Sequence, residues 1–142
     1  MEVPLFPRPQ RLAREFLRTQ LLAVGNTQHV GTKNPSKLPS EWIRLRSQGG
    51  PQTLYDWRVM LEVFVFATDE VVAEGNAIYV HSLLSNAAGV GIVVPEFEGP
   101  FPWVRKAVHV SGPTSIEPDE DLPNLEAYRI VTTWHVLPIP KG

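Results

Sequence analysis

The sequence contains no cysteine among its 142 residues. Disulfides, zinc sites with thiolate ligands, iron–sulfur clusters and cysteine nucleophiles are therefore excluded. It also lacks a P-loop, a G-x-S-x-G motif and closely spaced histidine pairs of the metalloprotease type. Its apolar runs fall well short of the roughly 20 residues that span a bilayer, and prolines interrupt its N-terminus, so we expect no membrane or targeting segment. These absences leave no catalytic, metal-binding or cofactor-binding residue to nominate.

The composition is that of an ordinary folded chain. Hydrophobic residues make up 43% and charged residues 20% of the sequence, and fourteen prolines accompany ten glycines. The length suits one domain with one hydrophobic core, so we predict a single domain over residues 1–142. A formal net charge of -2 gives no reason to expect general attraction to nucleic acid.

Charge is divided unevenly between the two parts of the chain. Residues 1–58 carry nine basic and four acidic side chains, whereas residues 59–142 carry four basic and eleven acidic ones. The candidate interface residues from this pattern are Arg11, Arg14 and Arg18 on one side of a predicted helix, and Glu117, Asp119, Glu120 and Asp121 in an acidic connection. Two interpretations stay open: the charges interleave in the fold, or they support head-to-tail association of identical copies.

Apolar periodicity predicts two helices and several strands. The helices are expected over 9–22 and from an N-cap at Thr68 to 85, and the strands over 42–46, 57–67, 90–94, 103–110 and 126–137. Residues 26–40 and 111–125 are expected to be long loops, and 138–142 a tail. Strands joined by short turns favour an α+β fold, with a mixed or antiparallel sheet of about five strands and both helices on one face.

The predicted strand 57–67 is apolar on one face along its whole length. Its other face begins with polar residues and ends with Phe64 and Phe66, so that second face needs cover near one end, from this chain or from a neighbouring copy. The preceding strand places Arg44 and Arg46 on a single face. These four residues complete the candidate interface.

The second helix is expected to turn its large apolar residues toward the sheet, namely Val71, Val72, Ile78, Tyr79 and Leu83. Gly75 lies inside this pattern, where glycine costs roughly 1 kcal/mol relative to alanine. We therefore expect the helix backbone to pack closely against the strands at that position.

The histidines offer a weak alternative function. His109 and His135 would approach each other if their strands were neighbours, and a small enzyme using one of them with Glu96 or Glu117 is the competing hypothesis. None of the histidines has metal-ligand spacing. The chain is expected not to be an enzyme.

Two segments together resemble the tail terminator proteins of long, non-contractile-tailed bacteriophages. The stretch DWRVMLEVFVFATDEVVAEGNAIYVHSLL, residues 56–84, is similar to the family's valine-rich and aromatic strand that runs into an acid-led helix. The stretch VSGPTSIEPDEDLPNLEAYRIVTTWHV, residues 110–136, resembles its C-terminal portion, and WIRLRSQGG, residues 42–50, fits its first strand and turn.

This resemblance implies a structural subunit without a catalytic residue or cofactor. It implies a homohexameric ring in the virion neck, assembled in the host cytoplasm, that caps the head-proximal end of the tail tube and stops its polymerisation. Its partners would be the major tail tube protein and a head-closure or connector protein, with viral DNA crossing the lumen without sequence-specific binding. A head-closure or adaptor subunit of the same virion is the alternative.

Overall fold

The computed structural model describes residues 5–92, 94, 103–117 and 124–139. Its elements are helices α1 (Pro9–Ala23) and α2 (Glu70–Ser85) and strands β1 (His29–Gly31), β2 (Glu41–Ser47), β3 (Trp57–Ala67), β4 (Val104–Ile116) and β5 (Glu126–Val136). The strands form one sheet in the order β1-β2-β3-β5-β4. Strand β1 is parallel to β2, and the other neighbours are antiparallel. The predicted α+β class, with a mixed five-stranded sheet, is confirmed.

Both helices pack on one face of the sheet, because apolar residues of α1, α2 and alternate strand positions form one core. Proline at the start of α1 suits the first helical turn, where its missing N–H has no intrahelical partner. Trp134 on β5 joins the layers. Its ring meets Phe16 of α1 edge to face at 5.5 Å, and its Nε1 donates a hydrogen bond to the carbonyl of Leu84 in α2 at 3.1 Å.

Strand β3 has the predicted bounds, Trp57–Ala67. Val59, Leu61, Val63 and Val65 are completely or almost completely buried under the helices. The opposite face of the sheet has no helix over it among the described residues, and we call it the open face. The side chains of Arg58, Met60, Glu62 and the two phenylalanines of β3 point to this face.

The prediction for the inward face of α2 is wrong. The residues that meet the sheet are Ala73, Ala77, Val80 and Leu84, while the exposed apolar residues of the helix are Val71, Val72, Ile78 and Tyr79; Leu83 is partly buried against the core. Gly75 is exposed, and a Cβ there would meet no atom within 4 Å, so close packing does not explain it. The side chain of Asp69, not Thr68, caps the helix.

Two segments predicted as loops contain strand residues, and one segment predicted as a strand forms only isolated bridges among the described residues. Residues 29–31 of the first loop form β1. Strand β4 continues to Ile116 through register shifts at Ser111, so residues 111–116 are not loop. Gly112 has φ +88°, and a side chain there would collide with the Arg129 carbonyl. Around the predicted strand 90–94, the described residues form only the isolated bridges Ala88–Val104 and Gly91–Trp103.

Candidate interaction surfaces

A buried carboxylate joins three strands on the open face. Glu62 of β3 is 2% exposed. It accepts hydrogen bonds from Arg46 Nε of β2 at 2.6 Å and from Arg129 Nε of β5 at 2.5 Å. Burial alone would raise the pKa of Glu62, but the hydrogen bonds and charges of the two arginines outweigh it, so the pKa is lowered. The carboxylate therefore stays ionised and orients both guanidinium groups.

Arg44 lies two residues before Arg46 on the same face of β2, and it contacts an aromatic cluster. Its guanidinium carbon is 5.0 Å from the ring centroid of Phe64 and 5.3 Å from that of Phe66, distances at which the aromatic ring attracts a cation. Trp42 stacks on Phe66 with ring centroids 4.8 Å apart, and Phe66 is only 2% exposed. Asn34 accepts a hydrogen bond from Arg44 Nη1 at 3.1 Å, which ties the segment before β2 to the open face.

A second buried acid lies at the other end of the open face. Asp56 accepts a hydrogen bond from Arg105 at 2.7 Å, and His135 Nδ1 is 3.5 Å from the same oxygen. The hydrogen bond from Arg105 lowers the pKa of Asp56. Burial, followed by the nearby charge of Arg58, lowers the pKa of His135. At neutral pH the cluster thus holds a neutral histidine beside a paired carboxylate.

Basic side chains dominate the described part of the open face. They are Arg44, Arg46, Arg58, Arg105, Lys106 and Arg129, whereas its buried acids are Glu62 and Asp56. The sequence predicted Arg44 and Arg46 but missed the two acids and their partners Arg105 and Arg129. The available signal was an acid in the middle of a long apolar strand, on the face opposite the valines, in a sequence that places arginines on other strands. Its strand partners were unknown from the sequence.

A groove runs between α1 and β1 at one edge of the sheet. It consists of two adjoining cavities of about 530 and 320 Å³ that share Arg14. We define the β1 groove by the residues that line these cavities: Arg8 before α1, three arginines of α1, and four residues in and beside β1. They are Arg8, Arg11, Arg14, Arg18, Gln28, His29, Val30 and Thr32. The structure therefore brings the three predicted arginines of α1 together with Arg8 along one groove.

The outer face of α2 is apolar although it points to solvent. It consists of Val71, Gly75, Ile78, Tyr79 and Ser82, none of which is charged. Val71 is 80% exposed and Ile78 is 56% exposed. A helix that is apolar on both sides is typical of one that is covered on both sides.

The predicted approach of His109 to His135 does not occur, although β4 and β5 are neighbours. His109 pairs with Thr132, and His135 pairs with Lys106. The His109 ring instead meets that of His81 on α2, with centroids 4.6 Å apart. Burial, and then the charge of His109, lowers the pKa of His81.

Chemical groups that bind metal do not cluster in the described part of the chain. No three His, Cys, Asp or Glu side chains there are placed to hold an ion. Neither described helix is long and apolar enough to cross a membrane. Of the acidic candidates, Glu117 is exposed just after β4, while Asp119, Glu120 and Asp121 lie outside the described residues.

Comparison with known proteins gives a likeness of fold. No protein-family model and no curated protein sequence matches the chain. Among solved structures, a chain of the "Virion of native gene transfer agent (GTA) particle" is similar, with 15% sequence identity and a TM-score of 0.54. The likeness covers 90% of this chain and 93% of that chain. At this identity the two chains share an α+β fold over nearly their whole lengths.

Proposed function

We propose that this protein is a structural subunit of a phage-like virion and, within that class, a tail terminator. In this role, copies form a hexameric ring in the neck of the virion, cap the head-proximal end of the tail tube and offer a surface to the head connector. DNA passes through the lumen. The subunit is assembled in the host cytoplasm and has no enzymatic activity.

One observation carries the proposal. The fold is shared, over nearly the full length of both chains, with a chain of a gene transfer agent virion. The resemblance of residues 56–84 and 110–136 to tail terminators supports the narrower assignment. The two likenesses are of different kinds, one of sequence pattern and one of fold.

The outer face of α2 supports the expectation of a multi-subunit assembly. Burying a fully exposed valine or isoleucine stabilises an association by about 1.5–3 kcal/mol per side chain, and Val71 and Ile78 are both exposed. We propose that a neighbouring copy covers this face in the ring. The sheet cannot cover it, because Ala73, Ala77, Val80 and Leu84 already fill the opposite side of the helix.

The test is assembly on tail tubes. Purified protein, alone and mixed with assembled tubes, is followed by native mass spectrometry and electron microscopy. We expect a ring at one end of each tube, and we expect Val71→Glu with Ile78→Glu to abolish it. Leu54→Glu is the matched control, because Leu54 is a similarly exposed apolar residue, 66% accessible, in a loop outside α2.

Two outcomes would change the assignment. Binding to the portal or head side instead of the tube end would identify a head-closure or adaptor subunit. A chain that stays monomeric and binds neither structure would contradict the role in the virion. Monomer in dilute solution without tubes does not decide the matter, because some subunits assemble only on their template.

A further inference from the structure

The β1 groove has a free strand edge as its floor. Strand β1 pairs with β2 on one side only, and it ends the sheet. An edge strand presents unpaired backbone N–H and C=O groups, which can accept an additional extended segment. On the described part of the chain, no segment lies against this edge. The adjoining cavities of about 530 and 320 Å³ leave space beneath α1.

Polar atoms of the groove lack partners. Arg14 Nε and both side-chain polar atoms of Gln28 are buried without a hydrogen bond. A buried polar atom without a partner costs about 1–3 kcal/mol, so such atoms are rare in folded proteins. Arg14 and Gln28 both line the second cavity. The described residues therefore leave hydrogen-bonding capacity of these two side chains unused.

The wall of the groove attracts negative charge. Arg8, Arg14 and Arg18 line it, and the one acid of α1, Glu15, is 3.7 Å from Arg18. The N-cap residue Arg8 makes no side-chain capping bond, and no acid lies in the first turn. The positive end of the helix dipole therefore adds to the charge of the arginines. The preferred occupant is an extended acidic segment.

We propose that the acidic segment 117–121 of a second copy of this chain binds in the β1 groove as an added strand. Its side chains Glu117, Asp119, Glu120 and Asp121 contact the arginines of α1. The segment carries four acids in five residues; Pro118 lies within it, and Pro123 follows it, so the two prolines flank residues 119–122. Proline has no N–H for a strand ladder, so pairing is confined to the few residues between the prolines, which matches the three residues of β1.

The geometry of the sheet favours a second copy over the same one. The acidic segment connects β4 to β5, and β1 lies at the opposite edge of the sheet. Strands are about 4.8 Å apart, so a strand added beyond β1 would lie four spacings, roughly 19 Å, from β5. A nine-residue connection that leaves and returns reaches only about 15 Å. A neighbouring molecule has no such limit.

Such a contact joins one edge of the sheet to the other edge of the next copy. Contacts of this kind are heterologous, and they close into a ring when the rotation between copies allows it. This inference thus rests on the proposed ring and names the surface by which its subunits recognise each other.

The first experiment needs no assembly. A labelled peptide of residues 115–124 is titrated with the full chain by fluorescence anisotropy. The matched peptide has Glu117→Gln, Asp119→Asn, Glu120→Gln and Asp121→Asn. We expect the acidic peptide to bind at least tenfold more tightly at low salt, because several exposed ion pairs add together. Equal binding of both peptides, or no binding of either, would overturn the proposal.

The second experiment uses charge exchange between copies. One variant reverses the groove with Arg14→Glu and Arg18→Glu, and the other reverses the segment with Asp119→Lys and Asp121→Lys. We expect each variant alone to assemble poorly and an equimolar mixture to assemble well, because opposite charges then meet at every contact. Arg58→Glu, at an exposed position on the open face, is the control and should assemble normally.

The outcomes separate this inference from the proposed function. Normal assembly of both reversed variants on tube ends would overturn the groove contact and leave the tail terminator role intact. Failure of the wild-type chain to bind tubes, together with selective peptide binding, would overturn the role and leave the groove intact. Circular dichroism of each variant checks that it folds, and the peptide experiment on the wild-type chain is independent of that check.

Discussion

At the scale of single residues, the carboxylate of Glu62 links β2, β3 and β5. Glu62→Gln leaves Arg46 and Arg129 near each other without the charge that holds them. We expect a loss of about 2 kcal/mol in the free energy of unfolding, because hydrogen bonds to charged groups contribute about 1.5–3 kcal/mol. Urea denaturation measures it. Arg46→Gln should cost less, since its side chain is 61% exposed, and equal losses for both variants would contradict this account.

Thr132 is a residue at which a substitution should stabilise the protein. It is fully buried on β5, and its hydroxyl has no hydrogen-bond partner. Thr132→Val keeps the shape of the side chain and removes the unpaired group, so we expect a gain of about 1 kcal/mol. The neighbouring Thr133→Val, on the partly exposed side of the strand, is the control. A lower melting temperature for Thr132→Val would show that the hydroxyl is satisfied.

Two histidines make the stability depend on pH. The pKa values of His81 and His135 are lowered from 6.5, chiefly by burial. Below pH 6.5 these two histidines bind protons in the unfolded chain but remain neutral in the folded chain until the pH falls further. Stability is therefore complete above pH 6.5 and falls as the pH decreases toward the folded pKa values. Melts at about pH 7.5 and about pH 5.5 should show a loss of up to about 1.4 kcal/mol per pH unit for each histidine. A flat profile would contradict the burial of these rings.

At the scale of elements, the outer face of α2 contains a glycine in addition to its exposed apolar side chains. Gly75 is exposed in the middle of the helix, with open space around its missing Cβ. Gly75→Ala should therefore stabilise the isolated chain by about 0.5–1 kcal/mol, because alanine loses less backbone entropy in a helix. Thermal unfolding of the monomer measures this gain, and a destabilised variant would mean that the outer face is already covered in the free chain.

The same helix explains one limit of the sequence analysis. Periodicity predicts an inward face only when the other face is polar. In α2 the alanines that touch the sheet are smaller than the valine, isoleucine and tyrosine that point outward, so residue size indicated the wrong face. The signal was misleading because no described residue covers Val71 and Ile78, and both stay exposed despite being apolar.

Strands show the same contrast between local and long-range information. Strand β3 was predictable to the residue, because eleven positions repeat an apolar face with period two. Strand β1 was not, because its three residues are held mainly by pairing with β2. The continuation of β4 past Gly112 was missed since a Gly-Pro step resembles a turn, whereas the structure accommodates it through shifts in register. The arginines of α1 were found from helical spacing, but the groove they line depends on β1.

At the scale of the whole molecule, two physically different surfaces are proposed to join neighbouring copies. Salt weakens contacts between exposed charges, because the screening length falls from about 10 Å at 0.1 M to about 3 Å at 1 M. It does not weaken apolar burial. Reversal of Asp119, Glu120 and Asp121 should therefore reduce assembly strongly at about 0.05 M salt and little at about 0.5 M. Val71→Glu with Ile78→Glu should reduce it at both. Sedimentation velocity on tube mixtures measures these effects, and equal salt responses would contradict two separate contacts.

The displaced register of β4 has a consequence for the free protein. The pairing of this edge strand with β5 shifts register between Val104 and Lys106, and again on either side of Ser111. Such irregular backbone offers a poor template for the endless strand stacking that produces fibrils. We therefore expect this edge of the free protein to resist strand addition by other copies of the chain.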